Sequence, residues 1–236
     1  MRLDKFLANY SSLSRTEATK ALKQKRVLVN GDLVKTGSHK VANDDQVWLD
    51  GRRIEMNTAV YFMMNKPANY LCANADPQHA LVFDLIDEAS TYVLHTVGRL
   101  DLDTTGLLLI TDDGQWSHRL TSPKHHIPKT YRVWLDEPLV ADAEIQCEQG
   151  LLLRSESKPT LPAELNRITD TEVLITISEG RYHQVKRMFA AMGNRVVRLH
   201  RERIGPLELD PNLAPGEYRS LTQQELDVLG IANTDL

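Results

Sequence analysis

Three charged side chains alternate with leucines in Gly98-Arg99-Leu100-Asp101-Leu102-Asp103-Thr104-Thr105-Gly106. If the first half of this stretch is extended, Arg99, Asp101 and Asp103 share one face while Leu100 and Leu102 anchor the other. Two carboxylates and a guanidinium held over a core suit three chemistries: metal-dependent phosphoryl transfer, a proton shared between paired acids, or a single carboxylate acting as nucleophile or base. The phosphoryl-transfer pattern Asp-x-Asp-x-Thr needs an apolar strand immediately before its first Asp, yet here Gly98 and Arg99 intervene and the apolar run comes afterwards. A proton-sharing pair normally draws on two copies of an Asp-Thr-Gly motif, and this chain has one, with an extra threonine. A single reactive carboxylate at Asp101 remains, beside the plainer reading of a surface or capping aspartate. Asp103 reads as a turn or capping residue.

The elements around this stretch must hold it still. Leu107-Leu108-Leu109-Ile110 is short and continuously apolar, as a buried strand is, and Thr104-Thr105-Gly106 allows a tight change of direction before it. Val60 to Met64 is a second buried-type strand, closed by Asn65-Lys66-Pro67 because proline cannot donate to a ladder. Thr111 to Gly114 reads as a turn and Gln115 to Leu120 as a short helix. Lys129 to Leu135 alternates, so Tyr131, Val133 and Leu135 face one way. After a strand at Val173 to Ser178 the period becomes helical, with Val185, Met188, Phe189 and Met192 in one stripe and Gly193 as the cap. Lys186 and Arg187 then stand near a helix start, where cations are disfavoured unless an anion is present. Val196 to His200 returns as a strand, and Thr222 to Glu225 opens a short last helix before a frayed end. Strands do not alternate regularly with helices, so a mixed, mainly antiparallel α+β sheet is expected rather than a doubly wound fold.

The first 60 residues differ from this body in charge. They carry 11 Lys+Arg against 7 Asp+Glu, and the remainder 17 against 25, which points to an anionic partner met locally by the N-terminal part. Arg2 to Tyr10 reads as a helix on Leu3, Phe6 and Leu7; Ser14 with Glu17 makes a capping box for a helix reaching about Lys25. Its inner side is Ala18, Ala21 and Leu22, and its outer side Arg15, Lys20, Lys23 and Lys25. Asn30-Gly31 between apolar runs signals a hairpin, a further strand lies near Gln46 to Asp50, and the polar stretch Gly51 to Thr58 reads as a linker. Residues 14–40 hold seven Lys+Arg and two acids across helix, turn and strand, which favours phosphate contact. Residues 181–203 hold seven and one. His118 to Arg132 has no acid; His125 and His126 point apart in an extended chain and no nearby Cys or Glu completes a site, so a cationic surface is expected and no metal. Cys72 and Cys147 read as inert, buried and reduced. No run reaches the length of a membrane span and the N-terminus lacks an apolar signal, so no membrane and a cytoplasmic setting are expected.

Two resemblances sharpen this reading. Arg2-Leu3-Asp4-Lys5-Phe6-Leu7, Ser14-Arg15 and Arg26-Val27-Leu28-Val29-Asn30-Gly31 resemble the S4 RNA-binding domain, which implies a helix pair and small sheet that grip structured RNA. The stretch Gly98 to Leu108 looks like the signature loop of the pseudouridine synthases in their ribosomal small-subunit form. Asn65-Lys66-Pro67, Lys129-Thr130-Tyr131 and Glu179 to Met188 resemble that family's other motifs, in order. The resemblance implies an S4 domain with its linker at residues 1–57 and a catalytic domain of the pseudouridine synthase fold at 58–236. It implies isomerisation of one uridine of 16S rRNA, uridine 516, with Asp101 as nucleophile at the ribose C1′ or the base C6. Tyr131 matches the tyrosine that stacks on the flipped base and can take the C5 proton, Lys186 the basic residue paired with the aspartate, and Arg99 the arginine that pushes the uridine out. RNA-binding candidates are Arg2, Lys5, Arg15, Lys20, Lys23 and Arg26 in the first domain, and Lys66, Lys124, Arg181 and Arg187 in the second. The reaction needs neither redox change nor hydrolysis, so no cofactor is implied. A monomer acting on small-subunit rRNA, free or in an assembling particle, is expected. The rival is a non-catalytic RNA-binding or ribosome-assembly factor on the same scaffold.

Overall fold

A computed structural model describes residues 1–11, 13–42, 44–54, 59–90 and 92–230. The chain divides after Thr58 into two compact units.

In the first unit, helices α1 (Leu3–Tyr10) and α2 (Arg15–Lys23) precede a four-stranded antiparallel sheet. Its strands are β1 (Val27–Val29), β2 (Asp32–Leu33), β3 (Val47–Leu49) and β4 (Arg52–Ile54), in the order β2-β1-β3-β4. The Ser14–Glu17 capping box starts α2 as its sequence foretells. Asn30 and Gly31 both adopt positive φ, the backbone that a two-residue hairpin turn requires. Leu3, Phe6, Leu7, Ala18, Ala21, Leu22, Val27, Val29, Val41 and Val47 form the core. The expected linker is partly structure: Arg52–Ile54 pairs with β3 in register Val47↔Ile54, because Asp50-Gly51 turns the chain back on itself at positive φ. Residues 55–58 and the frayed end expected after residue 230 lie outside the described residues.

The second unit is built on one long sheet. Its strands begin with β5 (Tyr61–Lys66); a small parallel pair, β6 (Tyr70–Leu71) and β7 (Ala80–Leu81), lies apart from that sheet. There follow β8 (His95–Val97), β9 (Thr105–Thr111), α3 (Gly114–Thr121), β10 (Lys129–Leu135), α4 (Ala143–Gln149), β11 (Glu164–Arg167) and β12 (Glu172–Ile177). The chain continues through α5 (Gln184–Ala191), β13 (Val196–Ile204), β14 (Leu207–Glu208), β15 (Tyr218–Ser220) and α6 (Gln223–Val228). The main path runs β11-β12-β10-β13-β9-β5-β15, antiparallel except where β13 meets β9.

Burial explains the two hydrophobic patterns. In β5 and β9 both faces are covered: Phe62, Met64, Leu108 and Ile110 join one apolar cluster with α5, while Tyr61, Met63, Leu107 and Leu109 join another with Trp116 of α3 and Leu226 of α6. Such strands read as continuous apolar runs. In β10 and β12 one face is covered, so Tyr131, Val133 and Leu135 alternate with half-exposed neighbours.

Candidate active site

The stretch around Asp101 is a turn held against β9. Leu100 is buried and Asp101 half-buried, but the Thr104 N–H donates to the Asp101 carbonyl at 3.1 Å, so the chain bends at Leu102-Asp103 instead of staying extended. Its exit is fixed by Gly106, at φ +104, where a Cβ would collide with the Arg201 carbonyl oxygen of β13. Only glycine lets the two parallel strands approach so closely. Thr105 adds a hydroxyl 2.8 Å from Nδ1 of His200 on the same strand, and burial holds that imidazole below its usual pKa.

Lys66 holds the turn from beneath. Its side chain is fully buried, and its ammonium donates to the carbonyls of Pro67 (3.0 Å), Asp101 (3.1 Å), Leu102 (3.3 Å) and Thr104 (2.9 Å). Burial pulls its pKa below the usual lysine range, against the opposing pull of the Asp103 and Asp101 charges. The RNA-binding role expected of Lys66 does not survive: a residue with no accessible surface cannot meet a phosphate, and its donors are already taken by the loop.

Two groups from the start of α5 reach the carboxylates. Lys186 Nζ lies 3.2 Å from Asp101 Oδ2 and 2.6 Å from Asp103 Oδ1. Asp103 is therefore more than a turn residue: the bend at Leu102-Asp103 brings both acids to one ammonium. Burial alone would lower the Lys186 pKa, but its hydrogen bonds to Asp103 and Asp101 outweigh burial and raise it. Asp103, conversely, is pushed up by burial but held below the usual carboxylate range by Lys186. His183 Nε2 stands 3.3 Å from Asp101 Oδ1, with His183 itself in the left-handed region at φ +48 just before the helix. The cation at the helix start thus has its anions, as the dipole argument requires. Tyr131, 8% exposed, shares an apolar cluster with Leu100 and Val185, the neighbours of Asp101 and Lys186. Across β13, the Arg201 guanidinium lies 6.0 Å from the Tyr131 ring centroid. Arg201 is 2% exposed; its Nε donates to the Leu107 carbonyl and its Nη2 has no partner among the described residues.

This geometry is matched by what the chain resembles. Residues 60–191 match the RNA pseudouridylate synthase family and residues 1–47 the S4 domain. The protein of Salmonella typhimurium called ribosomal small subunit pseudouridine synthase A is 52% identical over 98% of this chain and all of its own. The same-named proteins of Escherichia coli and Haemophilus influenzae are 52% and 50% identical, over 96% and 97% of this chain. This chain belongs to the RNA pseudouridylate synthases. A crystal structure of a pseudouridylate synthase, 49% identical, superposes with a TM-score of 0.71 over 97% of this chain and 99% of that one.

The remaining cations of this synthase divide sharply. Arg181 donates to Glu179 and to the carbonyls of Lys158 and Pro159, and Arg187 to Glu156 and to the carbonyls of Arg154 and Tyr182. Both are fasteners for residues 154–159, with side chains left 22% and 25% exposed. Arg99 and Lys124 are exposed and have no side-chain partner among the described residues. In the first unit Arg2 and Arg15 lie 2.7 and 3.9 Å from Asp4, and Arg26 pairs with Asp50. Lys5, Lys20 and Lys23 have no side-chain hydrogen bond or ion pair among the described residues. Sequence reasoning missed Arg201 as a site residue, although the strand period puts it on the face of buried Leu199. It also missed His183, for which spacing gives no signal. Among the described residues no group of three metal-ligating side chains occurs and no helix is long and apolar enough to cross a membrane.

Proposed function

We propose that this synthase converts one uridine of 16S rRNA to pseudouridine, at position 516, with Asp101 as the nucleophile on a flipped base. The observation that carries this is the Asp101 carboxylate itself: half-buried, within 3.3 Å of both Lys186 and His183, on a turn whose carbonyls are fastened by Lys66. Lys186 sets an opposite charge beside this carboxylate, and a fastened loop keeps it in place. The relatives' names, which specify the ribosomal small subunit, supply the substrate class.

In the reaction Asp101 adds to the ribose C1′ or to the base C6. The C1′–N1 bond breaks, uracil turns, C5 bonds to C1′, and the C5 proton leaves as the aspartate is released. In this reading Tyr131 stacks on the base and accepts that proton, and Arg99, exposed two residues before Asp101, displaces the uridine from its stack. Lys5, Lys20 and Lys23 grip phosphates. The protein works as a monomer on 16S rRNA, free or in an assembling particle, in the cytoplasm.

Tritium release from 16S rRNA labelled at uridine C5 tests the reading. The wild type should release one equivalent per transcript and none from a transcript with cytidine at position 516. Asp101→Asn should fall by at least about a thousandfold while still binding RNA. Equally little release by both proteins, with both still binding RNA, would leave an RNA-binding factor without catalysis; full release by both would remove Asp101 from the chemistry.

A further inference from the structure

Tyr182 is the one exposed aromatic side chain among the described residues, at 77% exposure. It is also firmly supported. One face of its ring lies on the His183 imidazole, with centroids 3.8 Å apart and planes 21° from parallel. Its backbone carbonyl accepts from Arg187 Nη1 at 3.1 Å, and Arg187 is itself fastened to Glu156. His183 in turn reaches Asp101 at 3.3 Å. Large aromatic surfaces are normally buried, and His183 holds a backbone that non-glycine residues rarely adopt. The fold therefore keeps an aromatic face uncovered and backed on its other side, one imidazole away from the Asp101 carboxylate.

We propose that Tyr182, backed by His183, is a stacking platform for a nucleobase adjacent to the target uridine. The proposal rests on the reading that Asp101 acts on a flipped base in RNA. When a uridine leaves its stack, each neighbouring base loses a partner, and unstacked bases are what aromatic side chains capture in RNA recognition. Tyr182 offers the free face, and His183 couples the platform to Asp101, so an occupied platform fixes the height of the target ribose over the carboxylate. Because every base has a π-face, such a platform tolerates sequence and adds affinity of about 5- to 150-fold per stacked base.

The test uses the full-length protein and a stem-loop RNA with 2-aminopurine on either side of the target uridine. Wild type should quench the fluorescence at one of the two positions on binding. Tyr182→Ala should abolish that quenching and raise KM for tritium release about tenfold, with a much smaller fall in kcat. Tyr182→Phe, which keeps the face and loses the hydroxyl, should behave as wild type. If Tyr182→Ala quenches normally with unchanged KM, or if Tyr182→Phe is as defective as Tyr182→Ala, the platform is wrong. A wild type that releases tritium without quenching overturns only the platform; one that releases none, whatever it quenches, overturns the isomerisation.

Discussion

Residues 14–40 and 181–203 look alike in sequence, each with seven basic residues and almost no acids, yet they use their charge in opposite ways. In the first stretch Lys20, Lys23, Lys25, Lys35 and Lys40 have no side-chain hydrogen bond or ion pair among the described residues and all are exposed. In the second, every cation has a partner drawn from elsewhere. Arg181 takes Glu179, Lys186 takes Asp101 and Asp103, and Arg187 takes Glu156. Arg195 takes Asp136, Arg198 lies 3.3 Å over the Trp134 ring, Arg201 donates to Leu107 and Arg203 pairs with Glu208. Local charge density is thus a poor guide to phosphate binding: what matters is whether the tertiary fold brings acids to meet it. One stretch leaves most of its charge exposed and unpaired, and the other ties its charge into the second unit.

The sharpest test of that contrast lies at Lys66, the buried limit of a cation that builds. Lys66→Met keeps the volume but strips four carbonyls of their donor. We expect a loss of about 3–5 kcal/mol in urea unfolding, with tritium release abolished. The salt dependence of RNA binding should stay as in the wild type under conditions where the variant is folded. A flatter salt dependence with unchanged stability would turn Lys66 back into a phosphate ligand. At Lys186 the expected effect is on chemistry: Lys186→Met should lower kcat about a hundredfold by removing the partner of Asp101. Asp103→Asn, which leaves Lys186 to Asp101 alone, should cost far less. Equal losses would mean that both carboxylates take part in the reaction.

The same economy extends to Arg219, which joins Asp210 to Glu225 at the start of α6. Hydrogen bonds from Arg219 hold the Glu225 carboxyl down to about 2, against an ordinary value of 4.5. A carboxyl depressed in the folded state contributes stability that is whole above its unfolded pKa and disappears as pH falls through its folded one. Glu225→Gln should therefore cost about 1–3 kcal/mol at pH 7. The gap to wild type should close between pH 4.5 and pH 2 in urea titrations. A gap independent of pH would assign the contribution to packing.

What the sequence shows and hides follows the same division. Period and turn chemistry are local, so the Ser14–Glu17 box, the Asn30-Gly31 hairpin, the β5 and β9 runs and the α5 stripe are all legible. The mainly antiparallel α+β class follows from them. The loop that carries Asp101 is recognisable, but its shape is not: the bend at Leu102-Asp103 is held by Lys66, 35 residues before Asp101, through the carbonyls of Asp101, Leu102 and Thr104. Alternation alone placed Asp103 beside Asp101 for the wrong reason, and motif logic then set it aside. Neither could show that Lys186 would take both. A basic residue carries no mark of the carbonyls it will meet, so the sequence cannot tell that Lys66 is spent beneath the loop or that Arg181 and Arg187 fasten residues 154–159.

The gentlest perturbation is the most discriminating, because it should change one property and no other. Lys20→Glu with Lys23→Glu alters two exposed side chains on the outer face of α2, away from its core residues Ala18, Ala21 and Leu22. No buried contact is lost, so Tm should not move. If both lysines neutralise phosphates, each loss removes about 0.7–0.9 from the slope of log K against log salt. The double variant should therefore bind 16S rRNA more weakly at low salt and converge on wild type as salt rises. Turnover at saturating RNA should be retained, since Asp101, Lys186 and His183 are untouched. A fall in Tm with an unchanged slope would place these lysines with the builders of the second stretch, and the distinction between the two basic regions would collapse.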